Sequence, residues 1–265
     1  MINKPKDLSI VTVCLNDLVG LRQTVDSVLS QINIDLDSIQ HVIIDGGSTD
    51  GTLEYLMALG SRFNHIHFVS EKDEGIYSAM NKGLSLCESN FVQFLNSGDS
   101  LACSNALQEF VGATKDRGAS PIMVVAGASL VGDDDHLVRI RNQPHSWSRH
   151  ALGIRPHCHQ AMIFETKLAL AIGGYSTQSS FVADFEFILK MGLISKTVYV
   201  YKNLVNYAAG GVSHQRRKEI PLLLHQVRSK AFEYGKFAAV IDLSWVYFLQ
   251  IYRTLKSRFP RRKVQ

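Results

Sequence analysis

Three aspartates stand where an apolar run gives way to a polar turn or where a helix begins: Asp45, Asp99 and Asp184. Asp99 closes Phe91-Val92-Gln93-Phe94-Leu95-Asn96-Ser97-Gly98-Asp99, a buried-strand pattern that stops in a loop of small polar residues. A carboxylate in such a loop can anchor Mg²⁺ or Mn²⁺ whose other ligands are waters and phosphate oxygens. A cation there can in turn hold a diphosphate. The competing reading is an aspartate that only shapes its turn. Asp45 follows His41-Val42-Ile43-Ile44 and precedes Gly46-Gly47, where it can accept the imide N–H of a uracil ring or simply brace the turn. The segment Asp45-Gly-Gly-Ser-Thr-Asp-Gly-Thr52 is neither G-x-G-x-x-G nor a P-loop, so neither a dinucleotide fold nor an NTPase is indicated. Asp184 and Glu186 begin a helix two residues apart and cannot share a face, so one can point to a site and the other to solvent. Acids favoured at the positive end of a helix are the simpler reading.

The histidines offer less. His157-Cys158-His159 is half of a zinc site, but no second Cys/His pair sits at a suitable spacing. His159 and Gln160 read better as lining an acceptor pocket. His214, after Gly210-Gly211, can reach a metal or a diphosphate; a solvated loop histidine fits the same pattern.

The elements that must position these groups alternate. Leu8 to Leu15 is β-branched and almost wholly apolar, as in a strand covered on both faces. Asn16-Asp17 caps a helix with apolar Leu18, Leu21, Val25, Val28 and Leu29. A strand at 41–44 leads to a helix from Leu53 to Leu59, capped by Ser48 or Asp50 and closed by Gly60. A strand at 65–69, a helix from Tyr77 to Cys87 and the strand at Phe91 follow. Strands alternating with helices predict an α/β fold with a doubly wound, mainly parallel sheet. Ligands of such sheets bind beyond the carboxyl ends of the strands, where Asp45 and Asp99 fall. Further on, the pattern predicts helices at 107–115, 168–172 and 184–191, strands at 122–126 and 197–201, a turn at 132–135 and an irregular stretch at 141–160.

With 265 residues, 46% hydrophobic and 20% charged, the chain suits one catalytic unit, residues 1–215, followed by a helical extension, 216–265. A net charge of +4 is too small to argue for nucleic acid. Four scattered cysteines suit a reducing compartment, and no signal peptide or apolar span of ~20 residues is evident, so a cytoplasmic location is expected. The extension has helical patterns at 220–234 and 237–255, the second rich in Trp245, Tyr247, Phe248 and Tyr252. No acid follows Asp242, while Arg253, Lys256, Arg258, Arg261, Arg262 and Lys263 are basic. Near an anionic leaflet each such residue contributes about 1 kcal/mol, which would hold the chain peripherally at a membrane. A packed helix with a solvated basic end is the alternative.

Taken together these stretches resemble nucleotide-sugar glycosyltransferases of family 2, which have the GT-A fold. The resemblance rests on the first strand with Asn16, on 42–52, on Asp73-Glu-Gly75-Ile-Tyr-Ser-Ala-Met-Asn81-Lys-Gly, on Asn96-Ser-Gly-Asp99 and on Ala183-Asp184, and it spans residues 8 to 214. It is strongest toward bacterial enzymes that build surface polysaccharides, of the colanic acid type. By that resemblance Asp45 contacts the nucleotide base, Asp99 is the final acid of an Asp-x-Asp-like metal motif, and Asp184 is the catalytic base. Gly75 and Asn81 match positions near the nucleoside, and Thr12, Asn16 and Ser97 complete the donor-binding set. Asn96 and Gly98 stand where many relatives carry acids, and Leu15 where an aromatic often stacks near the base. The resemblance implies inverting, Mn²⁺- or Mg²⁺-dependent transfer from a nucleotide-sugar, a UDP-sugar by preference, to a glycan or polyprenyl-diphosphate-linked acceptor. Three rivals differ in what they require. A sugar-phosphate nucleotidyltransferase needs a basic Gly-rich loop after the first strand, and Cys14-Leu-Asn-Asp17 is neither basic nor Gly-rich. A glycoside hydrolase would use two carboxylates without nucleotide. A non-catalytic nucleotide-sugar-binding protein would bind donor without turning it over.

Overall fold

Strands β1 (Leu8–Cys14) and β2 (Ile39–Asp45) are buried at every position, which is why their sequences run apolar rather than alternating. They pair in parallel from Leu8 opposite Ile39 to Cys14 opposite Asp45. β3 (Ile66–Ser70) extends the sheet beyond β2, and β4 (Phe91–Phe94) lies on the other side of β1, both parallel. Helices α1 (Leu18–Leu29), α2 (Thr52–Arg62) and α3 (Ile76–Ser85) are the crossovers. Asp17 starts α1 by accepting the Gly20 N–H. α2 runs through Gly60 instead of ending there. A Cβ at that position would stand 3.2 Å from the Phe68 ring, so this glycine serves helix–sheet contact rather than a cap.

The computed structural model describes residues 6–115, 120–132, 137–178, 182–208 and 219–258. Beyond β4 the sheet becomes mixed, with antiparallel and parallel pairings. β5 (Ser100–Leu101) and α4 (Ala106–Ala113) lead to the long β6 (Ile122–Val131), β7 (Leu137–Arg141) and the short α5 (Trp147–Ala151). β8 (Met162–Glu165) then inserts antiparallel between β4 and β6, followed by α6 (Thr166–Ala171), α7 (Ala183–Ile194) and β9 (Lys196–Ala208). The order across the sheet is β3-β2-β1-β4-β8-β6-β9-β5, with β7 paired to β6. β6 outruns the expected 122–126 because Gly127 and Ser129 interrupt its apolar run without ending the strand; the pairing to β9 shifts register around Gly127. β9 likewise continues well past Tyr201.

Side chains of the sheet alternate between two cores. Ile10, Leu107, Phe110 and Ile163 share one. Phe94, Met162, Phe164, Tyr175 and Phe187 share the other. The last helices are α8 (Ile220–Ala231) and α9 (Lys236–Arg258). Leu224 and Val227 of α8 pack on Val182, Phe185 and Leu189 around the start of α7. Arg228 of α8 holds Asp242 of α9 in a buried ion pair, with Nε 2.8 Å from Oδ1.

Candidate active site

Four parallel strands deliver their following loops to one edge of the sheet, and hydrogen bonds knit those loops together. Asn16, in a left-handed conformation at φ 50°, accepts the Thr49 N–H at 2.9 Å and donates its own N–H to Ser48 Oγ. Leu18 N–H donates to Asp50 at 2.9 Å, and the Ser97 hydroxyl to Asp17 at 2.6 Å. The loop after β4 turns through Gly98, at φ +85°, with Asp99 N–H donating to Asn96 O. Thr24 of α1 donates to Asp99 O at 2.7 Å and fixes that turn.

Asp45 is fully buried, and its carboxylate accepts from the Ser48 N–H and hydroxyl and from the Ser70 hydroxyl at 2.6 Å. In this arrangement it braces the loop between β2 and α2; a base reaching it would share those serines. Thr12 sits inside the sheet, donating to Leu95 O at 2.7 Å and paired with His41 Nε2 at 2.9 Å. Its expected place in the donor crevice is not where its side chain lies: the residue is two positions short of the strand end and faces the interior. Gly75, at φ +120°, opens α3 with its N–H on Asp73. Asn81 spends both ends of its amide on the Tyr175 backbone, each at 2.8 Å, and so clamps α3 to the turn after α6 rather than facing the loop edge.

Asp99 and Gln160 do come together. Gln160 Nε2 donates to Asp99 Oδ2 at 3.1 Å, while Cys158 Sγ donates to Gln160 Oε1 at 2.9 Å and Gln93 holds the Gln160 carbonyl. Asn142 fixes Cys158 from both sides of its backbone. Burial and the Asp99 charge push the Cys158 thiol well up, so it is a poor thiolate donor for zinc. Among the described residues no group of three or more His, Cys, Asp or Glu could hold a metal ion by itself. The Asn96 side-chain oxygen, in the same loop as Asp99, is buried without a hydrogen-bond partner among the described residues. One carboxylate with a spare amide oxygen is the hard-oxygen chemistry that Mg²⁺ or Mn²⁺ takes when phosphate and water complete the shell.

Asp184 lies in the first turn of α7, partly buried, with Oδ1 accepting the Phe185 N–H at 2.8 Å. Burial lifts its carboxyl to about 6, and the phenols of Tyr77 and Tyr175 are raised by their own burial first and then by the Asp184 charge. Those two rings stack at 5.5 Å, and His159 meets Tyr175 edge-on at 5.8 Å. His159 is buried, lowered to about 4 by that burial and hence neutral, with neither ring nitrogen partnered among the described residues. Of the two acids, expected to point one to a site and one to solvent, Glu186 is buried and pairs with Lys190 at 2.7 Å, one turn along the helix. His150 stacks on Phe185 at 4.7 Å and accepts the His157 N–H at Nδ1, which steadies the start of α7. His214 lies outside the described residues.

Tyr77 and Tyr175 were not among the candidates. Tyr77 carries a motif position, but Tyr175, after Gly173-Gly174, reads from sequence as the end of a helix.

The family model described as Glycosyl transferase family 2 matches residues 9–167. An uncharacterised glycosyltransferase of Mycobacterium tuberculosis is 33% identical over 213 residues, covering 79% of this chain and 78% of that protein. Among solved structures, Staphylococcus aureus TarS 1–349 in complex with UDP-GlcNAc superposes with TM-score 0.68 at 16% identity, covering 97% of this chain and 76% of that one. The mannosyltransferase PcManGT from Pyrobaculum calidifontis, in complex with GDP-Man and Mn²⁺, superposes with TM-score 0.63 at 15% identity, covering 95% and 76%. At such identities the likeness is one of fold, and it is the mostly parallel, helix-flanked sheet with antiparallel additions.

Proposed function

The chain belongs to glycosyl transferase family 2, and from this premise we propose that it carries a sugar from a UDP-linked donor to a hydroxyl of a growing, polyprenyl-diphosphate-linked glycan, with inversion at the anomeric carbon. The role is the building of a bacterial surface polysaccharide on the cytoplasmic face of the membrane. Residues 1–215 form the catalytic unit and 216–265 the extension.

The observation that carries this reading is Asp184, an aspartate at the head of α7 whose carboxyl is raised to about 6 within an aromatic wall. A base with a pKa near the working pH is ionised at neutral pH and still accepts a proton in the transition state. The acceptor oxygen forms its bond to the anomeric carbon, the bond from that carbon to the diphosphate oxygen breaks, and the hydroxyl proton passes to Asp184. Tyr77 and Tyr175, stacked beside Asp184, keep water from the inner side of the carboxylate, and Tyr77, the partly exposed one of the two, offers its ring to a sugar face.

Asp99 and the Asn96 oxygen are the groups that would hold a divalent cation, with donor diphosphate oxygens and water as the other ligands. When bound, that cation supplies Lewis-acid neutralisation of the departing nucleoside diphosphate. Gln160 orients Asp99 by its hydrogen bond. Asn16, Asp45, Gly75 and Ser97, all in the loops at the strand ends, frame the donor's nucleoside and diphosphate.

The test is a panel of UDP- and GDP-sugars, each with Mn²⁺, read by thermal shift and by slow donor hydrolysis. A UDP-sugar is expected to raise Tm and to be hydrolysed in a Mn²⁺-dependent way. Neither effect with any donor would sink the reading.

A further inference from the structure

We propose that the outward face of α9 is a docking surface for an anionic lipid bilayer. This deepens the acceptor assignment above, yet the surface itself is read from α9 alone. Of the charged side chains between Lys236 and Arg253 there is one, Asp242, and it is turned inward onto Arg228 and His225. Trp245 donates to Leu152 O at 3.2 Å, so the helix is pinned to the body on that side. The face turned away from the buried Asp242 and Val246 shows Phe237, Val240, Ile241, Phe248, Ile251 and Leu255, each between 51% and 81% exposed, with Phe248 stacked on Trp245 at its edge. Their spacing is helical, and they share one face of the helix, in which Ser244 is the polar member.

A stripe of this kind on a chain in water marks an interaction surface. Its charge pattern selects the occupant. From residue 243 to 265 there is no acid, while Arg253, Lys256, Arg258, Arg261, Arg262 and Lys263 are basic. A second copy would bring like charges together, whereas an anionic headgroup layer complements them. Among the described residues no helix is long and apolar enough to cross a membrane, so α9 would lie along the interface rather than span it. A mainly apolar groove of about 430 Å³ between α8 and α9, lined by Leu222, Leu223, Leu243 and Val246 with Glu219 and Gln250 also on its wall, lies beside the helix and gives an acyl chain room to insert.

The surface also connects to the site. α9 is fixed to α8 through Arg228–Asp242, and α8 packs on Val182 and Phe185, the residues around Asp184. Docking by α9 would therefore bring the proton-accepting helix close to the bilayer that carries a lipid-linked acceptor.

The full chain should co-sediment with vesicles containing phosphatidylglycerol, less so at high salt, and not with pure phosphatidylcholine. A Phe248→Ser/Ile251→Ser double variant, both positions exposed, should lose about tenfold or more of that binding with unchanged Tm. Absence of binding to anionic vesicles would overturn the proposal, as would binding undiminished in the variant. So would a wild-type dimer in light scattering that the variant converts to monomer, because the stripe would then be covered by a second copy. Donor-induced thermal shift, measured without vesicles, reports on the transferase reading separately.

Discussion

Gln160 donates to Asp99 at 3.1 Å across a sequence separation of 61 residues, joining the loop after β4 to the segment that runs into β8. The antiparallel insertion of β8 beside β4 makes this contact possible. An aspartate in a flexible turn would lose orientational freedom on gripping a cation; here a side chain from the helical turn that leads into β8 has already fixed it.

Replacing Asp99 by Asn should abolish the Mn²⁺ stimulation of donor hydrolysis. Gln160→Ala, which removes the tether together with the acceptor of the Cys158 thiol, should weaken apparent Mn²⁺ affinity by about tenfold. Metal titrations of both variants, after chelator treatment, provide the check. Equal Mn²⁺ affinity in wild type and Gln160→Ala would show that the tether is idle.

Asp184→Asn should fold and bind donor but transfer sugar at least ~100-fold more slowly. In the wild type the rate should rise with pH through about 6 and then level, because the group must be ionised to act. The stability effect has the opposite sense. A carboxyl raised above its unfolded value stabilises the fold below the unfolded pKa and loses that contribution as pH rises through about 6. The Asn variant should accordingly match or exceed wild-type Tm at pH 7.5.

Asn81→Ala leaves the Tyr175 N–H and carbonyl without their partner, and should cost about 1–3 kcal/mol in urea denaturation. If Asn81 acts by placing Tyr175 rather than by touching donor, UDP affinity should stay near wild type while transfer slows. A large loss of UDP affinity in a folded variant would return the residue to the donor site.

Asp242→Ala strands the buried Arg228 guanidinium, and should destabilise the chain by about 3–5 kcal/mol. Chemical denaturation monitored by tryptophan fluorescence would show it, since the Trp245 indole of α9 is bonded to Leu152 O on the body of the protein.

Much of the first half was legible because its strands are buried on both faces and end in loops of distinctive composition; Asp45 and Asp99 fall at those ends. Thr12 was misplaced because a strand covered on both faces carries no period-two signal, and a hydroxyl inside it reads the same whether it faces the ligand edge or the interior. Asn81 and Tyr175 meet across 94 residues, a contact no local pattern encodes. β8 is four residues long and emerges from a stretch without periodicity, so the change from parallel to antiparallel pairing left no signal. The pairing of Glu186 with Lys190 was readable from their one-turn spacing, but weighing Glu186 against Asp184 obscured it.

Sandwiched between the helix that begins at Asp184 and the helix that carries the apolar stripe, α8 behaves as a fixed spacer. With the stripe seated among headgroups, the reactive carboxylate would stand at a set altitude above them. On the proposed function, how far a lipid-linked acceptor's free hydroxyl rises from the membrane would then bear on whether that carboxylate can reach it.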